Sequence, residues 1–304
     1  ATGGNGGNGI LGNGGNGGTA AVTPTHVTGT NASLNFVSLT GTETGGNGGT
    51  ATGAGFAGGI GAAFFDAPIL PDFTASSALT GGDAIVSLTA QGGNGGNGLV
   101  GANAGFGGDV TLFDAVGASS TGGNEVMTQN AFAGNGGSSN GGFADIGGQA
   151  TDTLIFTDPG NAKLITANLA SVGGNGGART GGFTNGENGS IATVEADVVG
   201  NRAVTINASE TGGNGGDSAN GTAAGSGASE IATTPIAVGN SNGNGNVTVG
   251  LTATGGNGGT AGILGNGGDG GQARLTNAVA GSQSLPGGTL SLTPNAIAGN
   301  GGGS

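Results

Sequence analysis

Glycine recurs at every third position through long stretches of this chain, and that period limits what it can fold into. In "TGGNGGTAGILGNGGDGGQA", residues 254–273, Gly256, Gly259, Gly262, Gly265, Gly268 and Gly271 share one phase. Gly3, Gly6, Gly9, Gly12, Gly15 and Gly18 repeat the pattern at the start. Neither an α-helix, at 3.6 residues per turn, nor a β-strand, at 2, has this period. A left-handed extended helix with three residues per turn does. In a GGN triplet such a helix carries two bare edges and one edge of Asn. The bare edges let backbones approach closely. Because the helix makes no internal hydrogen bonds, its amides must pair laterally with neighbouring chains.

The tracts recur. GNGG returns with its Asn at Asn5, Asn47, Asn94, Asn135, Asn175, Asn214, Asn257 and Asn300. Spacings of 39 to 47 residues are those of stacked repeats. Between tracts lie two runs rich in Val, Ile, Leu, Thr and Phe, such as "DVTLFDAVG" and "VMTQNAFA", bounded by Gly, Pro and Asn. These read as strands, and no window has helical periodicity. The expectation is an all-β, solenoid-like stack without α-helix, forming one continuous array over residues 1–304. It has about seven repeats of ~42 residues, each with two strands and a polyglycine-II-type segment. The repeats begin near residues 3, 45, 92, 133, 173, 212 and 255, with a partial one from about 298.

A straight 16-residue tract would reach ~50 Å, whereas a nine-residue strand reaches only ~30 Å. Each tract is therefore expected to fold back near its middle, around "ILG", "AGF" or "GGF". The structural residues are then Gly3, Gly6, Gly46, Gly49, Gly92, Gly95, Gly212, Gly215, Gly256 and Gly259, with the Asn edge of Asn5, Asn47, Asn94, Asn135, Asn175, Asn214 and Asn257. Phe56, Phe106, Phe143 and Phe183 each follow a Gly inside a tract, and are read as core plugs at the bends.

Charge excludes several functions. Seventeen acidic residues face four basic ones, a formal net charge of −13. Nucleic acid needs clustered cations, so it is not expected as a partner, nor is membrane insertion, because no apolar run approaches 18 residues. There is no Cys, and the single His26 has no companion for a metal or nucleophile site. Asp66 and Asp72 read as solvated loop acids. Gly12–Gly17 matches GxGxxG only because triplets generate that spacing; no helix follows it. Gly212–Asp217, "GGNGGD", is similar to the calcium-binding nonapeptide repeat, but Asp follows only one of the eight tract motifs named above, so Ca²⁺ at Asp217 is a weak candidate without a tandem motif. No cofactor and no catalytic residue is expected, and the chain reads as non-enzymatic.

The alternation of GGNGG tracts with Val/Thr/Asn strands resembles the repeat arrays of large bacterial surface and secreted proteins. The triplets are similar to the polyglycine-II bundles of snow-flea antifreeze proteins and of phage tail-fibre adhesin tips. The resemblance implies an extracellular structural or adhesive role at the cell surface. The leading expectation is a section or subunit of a filament, sheath or stalk. Its partner would be itself, head to tail, or the continuation of a longer array. The alternatives are an adhesin or receptor-binding module for surface glycans and, third, ice binding.

Overall fold

Residue by residue, the alternation in the second run of each repeat decides the architecture. In Asp83–Gln91, Ala84, Val86, Leu88 and Ala90 are buried while Ile85, Ser87 and Thr89 lie half-exposed on the other face. The computed structural model describes residues 1–21, 25–29 (backbone only), 36–65, 71, 73–182, 185–219 and 223–304. Among them there is no helix, and every strand-to-strand pairing is parallel. The fold is all-β and solenoid-like.

The principal sheet has seven strands in chain order: Phe36–Thr44, Asp83–Gln91, Asn124–Phe132, Leu164–Val172, Ala203–Thr211, Val247–Thr254 and Leu290–Ile297. Their register is one-to-one, as in Gln91↔Phe132↔Val172↔Thr211↔Thr254↔Ile297. A second sheet of six strands, Phe64–Phe65, Val110–Phe113, Ala150–Thr157, Ala192–Gly200, Ala237–Ser241 and Val279–Gln283, packs against it. Parallel sheets are usually covered on both faces. Here the principal sheet is covered on one face only, so its strands alternate instead of reading as continuous apolar runs.

Two strands per repeat understates the count. In one repeat the first run breaks at Asp114, whose φ is +50°, into Val110–Phe113 and Val116–Ser120. Val116–Ser120 joins Phe73–Ser77 and Thr25–Gly29 in a third sheet. Short parallel pairs, such as Ala51–Thr52 with Gly98–Leu99, also tie the tract tips together.

The core lies between the sheets and is filled by strand residues: Val86, Met127, Ile206 and Leu251 from the principal sheet, and Leu112, Leu154, Val194 and Val198 from the second. Among the described residues its buried aromatics are Phe64 and Phe73, with Phe156 packed against it, and not Phe56, Phe106 or Phe143 of the Gly-Phe pairs. Gly41 exists for this packing, since a Cβ there would stand 2.3 Å from the Phe73 ring.

One polar pair crosses the core. Gln129 Nε2 donates to Asp152 Oδ1 at 2.6 Å and to Thr153 O at 3.0 Å, and both side chains are fully buried. Gln129 Oε1 and Asp152 Oδ2 have no partner. Burial pushes the Asp152 carboxyl well above the usual carboxylate range, against hydrogen bonds from Gln129 and Ala170. Removing one partner strands the other, at a cost of ~2 kcal/mol, whereas replacing both with apolar groups removes both desolvation penalties. Gln129→Leu is expected to lower the urea midpoint, and Gln129→Leu/Asp152→Leu to restore or raise it. A double variant weaker than the single one would refute this account.

Candidate functional site: the hydrogen-bonded glycine arms

Each tract doubles back as its length requires. Gly15 and Gly18 donate to Gly7 O and Gly4 O at 2.8 and 2.7 Å, so the two arms of the first tract run antiparallel about Ile10–Gly12. The tips carry Leu11, Val100 and Leu264 at φ of 52°, 54° and 71°. Left-handed backbone at a β-branched Val is costly, and these side chains are largely exposed.

Within a triplet, all three amides are satisfied differently. Gly45 N–H donates to Gln91 O in the next repeat at 2.8 Å. Gly46 N–H donates across the arms to Gly18 O at 3.0 Å. Asn47 N–H donates to the side-chain Oδ1 of Asn5 at 2.9 Å. The Asn rung then repeats along the stack: Asn94 on Asn47, Asn135 on Asn94, Asn175 on Asn135, Asn214 on Asn175, Asn257 on Asn214 and Asn300 on Asn257, at 2.7–2.9 Å. This edge is exposed, and Asn is the residue whose short side chain reaches the one amide that faces away from neighbouring backbone.

The cross-arm bonds form unbroken ladders. Gly18 donates to Gly4, Gly46 to Gly18, Ala62 to Gly46 and Gly93 to Ala62; the series continues to Gly299 on Gly271, at 2.7–3.0 Å throughout. A second ladder runs from Gly15 on Gly7 to Gly302 on Gly268, at 2.7–3.2 Å. Glycine is required by this spacing. A Cβ at Gly46 would lie 2.0 Å from Gly4 O, and at Gly95 1.9 Å from Gly105 O. Gly3, Gly6, Gly49, Gly92, Gly212, Gly215, Gly256 and Gly259 are equally closed, each by a backbone oxygen within 2.7 Å.

Asp217 belongs to the rungs. Its Oδ1 accepts both the N–H and the hydroxyl of Thr260, at 2.7 and 2.8 Å, in the slot that Asn8 and Asn97 fill elsewhere. Among the described residues, no three His, Cys, Asp or Glu gather where they could hold a metal ion.

The Phe reading needs correction. Phe106 and Phe143 are 47% and 60% exposed. Phe56 is half-buried against Leu11 at the tip, beside Gly53. Phe183, Asp66, Asp72 and the His26 side chain lie outside the described residues. The physical reason is the triplet itself. The inward edges of the arms are mostly glycine or small residues, Asp145 and Glu187 in the second ladder being exceptions, and Phe106 is placed on the outward edge, where Asn16 stands in the first tract. Ile60 and Ile146 share that row. Ile60 and Phe106, with Phe143 and the polar Asn13, Asn16 and Asn103, line a groove of about 440 Å³.

Arg179 supports one side of this groove. It is buried, its Nε donates to Gly181 O at 3.0 Å, and its guanidinium lies 5.4 Å from the Phe143 ring centroid. Burial lowers its pKa, and Glu187 opposes that shift. Asp145 is pushed up to about 6, chiefly by burial, with the Ile146 N–H opposing and Glu187 adding to the rise.

No family model, curated protein or solved structure matches this chain.

Proposed function

We propose that this protein is a non-enzymatic structural repeat protein, a section or subunit of an extracellular filament, sheath or stalk. In this reading the arms are polyglycine-II helices and the chain is a stack of about seven repeats held end to end by backbone hydrogen bonds. One observation carries the proposal: both cross-arm ladders pass through every tract, so tension along the stack is shared by bonds between backbones that cannot slide. Net negative charge limits lateral clumping of such rods. Head-to-tail addition, or continuation of a longer array, would extend the same ladders. Negative-stain imaging tests the reading. Straight rods or filaments one stack wide support it, with Gly259→Val shortening or abolishing them. Compact, roughly equidimensional particles that the substitution leaves unchanged would overturn it.

A second reading, an adhesin or receptor-binding module for glycans, is favoured by the exposed apolar groove. Ile60 and Phe106 occupy rung positions, where an Asn would have tied down the next amide, and they give up that bond without becoming buried. Exposed apolar clusters of this kind mark binding surfaces.

A further inference from the structure

A second groove follows the stack where the principal sheet turns into the glycine arms. It has a volume of about 480 Å³. One wall is the last outward row of the sheet, Val172, Thr211, Thr254 and Ile297. The other is the Asn ladder from Asn135 to Asn300. The same two walls recur at each step, because the strands are in one-to-one register and the rungs follow that register. At the strand spacing of ~4.8 Å, five rungs span ~20 Å.

The rungs fix the chemistry of the Asn wall. Each Oδ1 from Asn135 to Asn257 accepts the backbone N–H of the next Asn. That bond settles which end of the amide faces the backbone, and leaves every Nδ2, with its two donors, on the open side. The wall is thus a column of equivalent donors, all held in one orientation. The Thr wall adds hydroxyls and methyl groups, and no charged residue lines the groove. A polyanion gains no cation here and is repelled by the net charge of −13. The one-to-one register spaces the donors evenly, so an extended, unbranched polymer can lie along them and a branched or tightly coiled one cannot.

We propose that this groove binds a linear, neutral, β-linked hexose polymer, lying along the stack with its hydroxyl oxygens on the Asn donors. The proposal rests on the binding-module reading and names its ligand class and a location away from the aromatic groove. It requires the donors to be fixed before the ligand arrives, and the rungs provide that without a ligand.

Affinity electrophoresis in native gels containing hydroxyethylcellulose, with dextran as the comparison polymer, tests it. Hydroxyethylcellulose is expected to retard the protein at least twofold and dextran to leave it unretarded, each relative to a gel without polymer. Asn175→Asp/Asn214→Asp keeps an oxygen for each rung while replacing the Nδ2 donors with carboxylate oxygen. It is expected to abolish retardation while the chain stays folded, with only a small fall in melting temperature from the two adjacent carboxylates. Retardation of the double variant equal to that of the wild type overturns the groove assignment. If retardation is instead lost in Phe106→Ser/Phe143→Ser, the binding-module reading stands and the ligand belongs to the aromatic groove. No retardation of the wild type in either gel overturns the proposal. Light scattering that shows self-association, lost in Asn175→Asp/Asn214→Asp, would assign the groove to a second copy of this chain and also overturn it.

Discussion

Gly95→Ala is expected to lower stability by ~3 kcal/mol or more, while Gly4→Ala leaves it unchanged or raises it slightly. The two glycines occupy comparable triplets. A Cβ at Gly95 meets Gly105 O at 1.9 Å, Gly105 C at 2.6 Å and Phe106 O at 2.8 Å, all backbone atoms with no rotamer to give way. Overpacking of a closed site costs 1–3 kcal/mol even where side chains can adjust, and here the ladder bond must break. At Gly4 nothing lies within 4 Å and the backbone is not left-handed. Alanine there restricts the unfolded chain without a clash, a gain of ~0.5 kcal/mol. Urea midpoints of the two variants decide the matter. Equal midpoints would mean that the arms are not close-packed.

The second large effect is a loss of stability with rising pH. Glu125, Glu210 and Glu230 are buried in the sheets. Burial is the main cause that raises Glu125 and Glu230 to about 8 and Glu210 to about 7. Asp158 adds to the shift at Glu125, and Glu210 adds to that at Glu230. Hydrogen bonds from Ser120 N–H to Glu125 (2.7 Å) and from Ala192 N–H to Glu230 (3.0 Å) act in the opposite direction. The unfolded carboxyls titrate near 4.5. Between that value and 7–8 the folded state holds more protons than the unfolded one, so stability is full below about pH 4.5 and falls as pH rises through 8. Summed over the three carboxyls, the loss from pH 5 to pH 9 is on the order of 10 kcal/mol. Melting temperatures across this range measure it. Because the whole chain is acidic, general repulsion acts in the same direction. Glu125→Gln/Glu230→Gln separates the two, since it keeps both accepting oxygens and should flatten the profile. A profile as steep as the wild type's would remove the buried carboxyls as its cause.

How much of this was legible in the sequence follows from what each signal encodes. The triplet phase of Gly15 and Gly18 and the length mismatch with the strands together imply the doubled-back arms. The alternation in Ala84–Ala90 implies a strand with one covered face. Strand direction was not legible, because one-faced alternation is the usual mark of antiparallel sheets and only the coil-to-coil connection makes these parallel. Phe106 reads as an apolar residue seeking a core, and the structure instead leaves it 47% exposed. Its phase held the correction: it falls in the triplet slot that Asn16 fills in the first tract, and that slot points outward. Gln129 and Asp152 carry no signal at all in sequence. They lie 23 residues apart on different sheets, and only the packing of one sheet on the other brings them together.

The Asn rungs also bear on chemical ageing. In an open chain, an Asn followed by Gly is short-lived, because the unhindered Gly nitrogen attacks the side-chain amide carbon, expels ammonia and closes a five-membered imide. This chain repeats that dipeptide through every tract. In the stack, the Asn47 Oδ1 is tied to Asn94 N–H and the attacking nitrogen, that of Gly48, is tied to Asn94 O, both at 2.8 Å. The torsion that would bring the two groups together requires both bonds to open at once. A sequence that would deamidate readily as a coil is thus made durable by the lattice it builds.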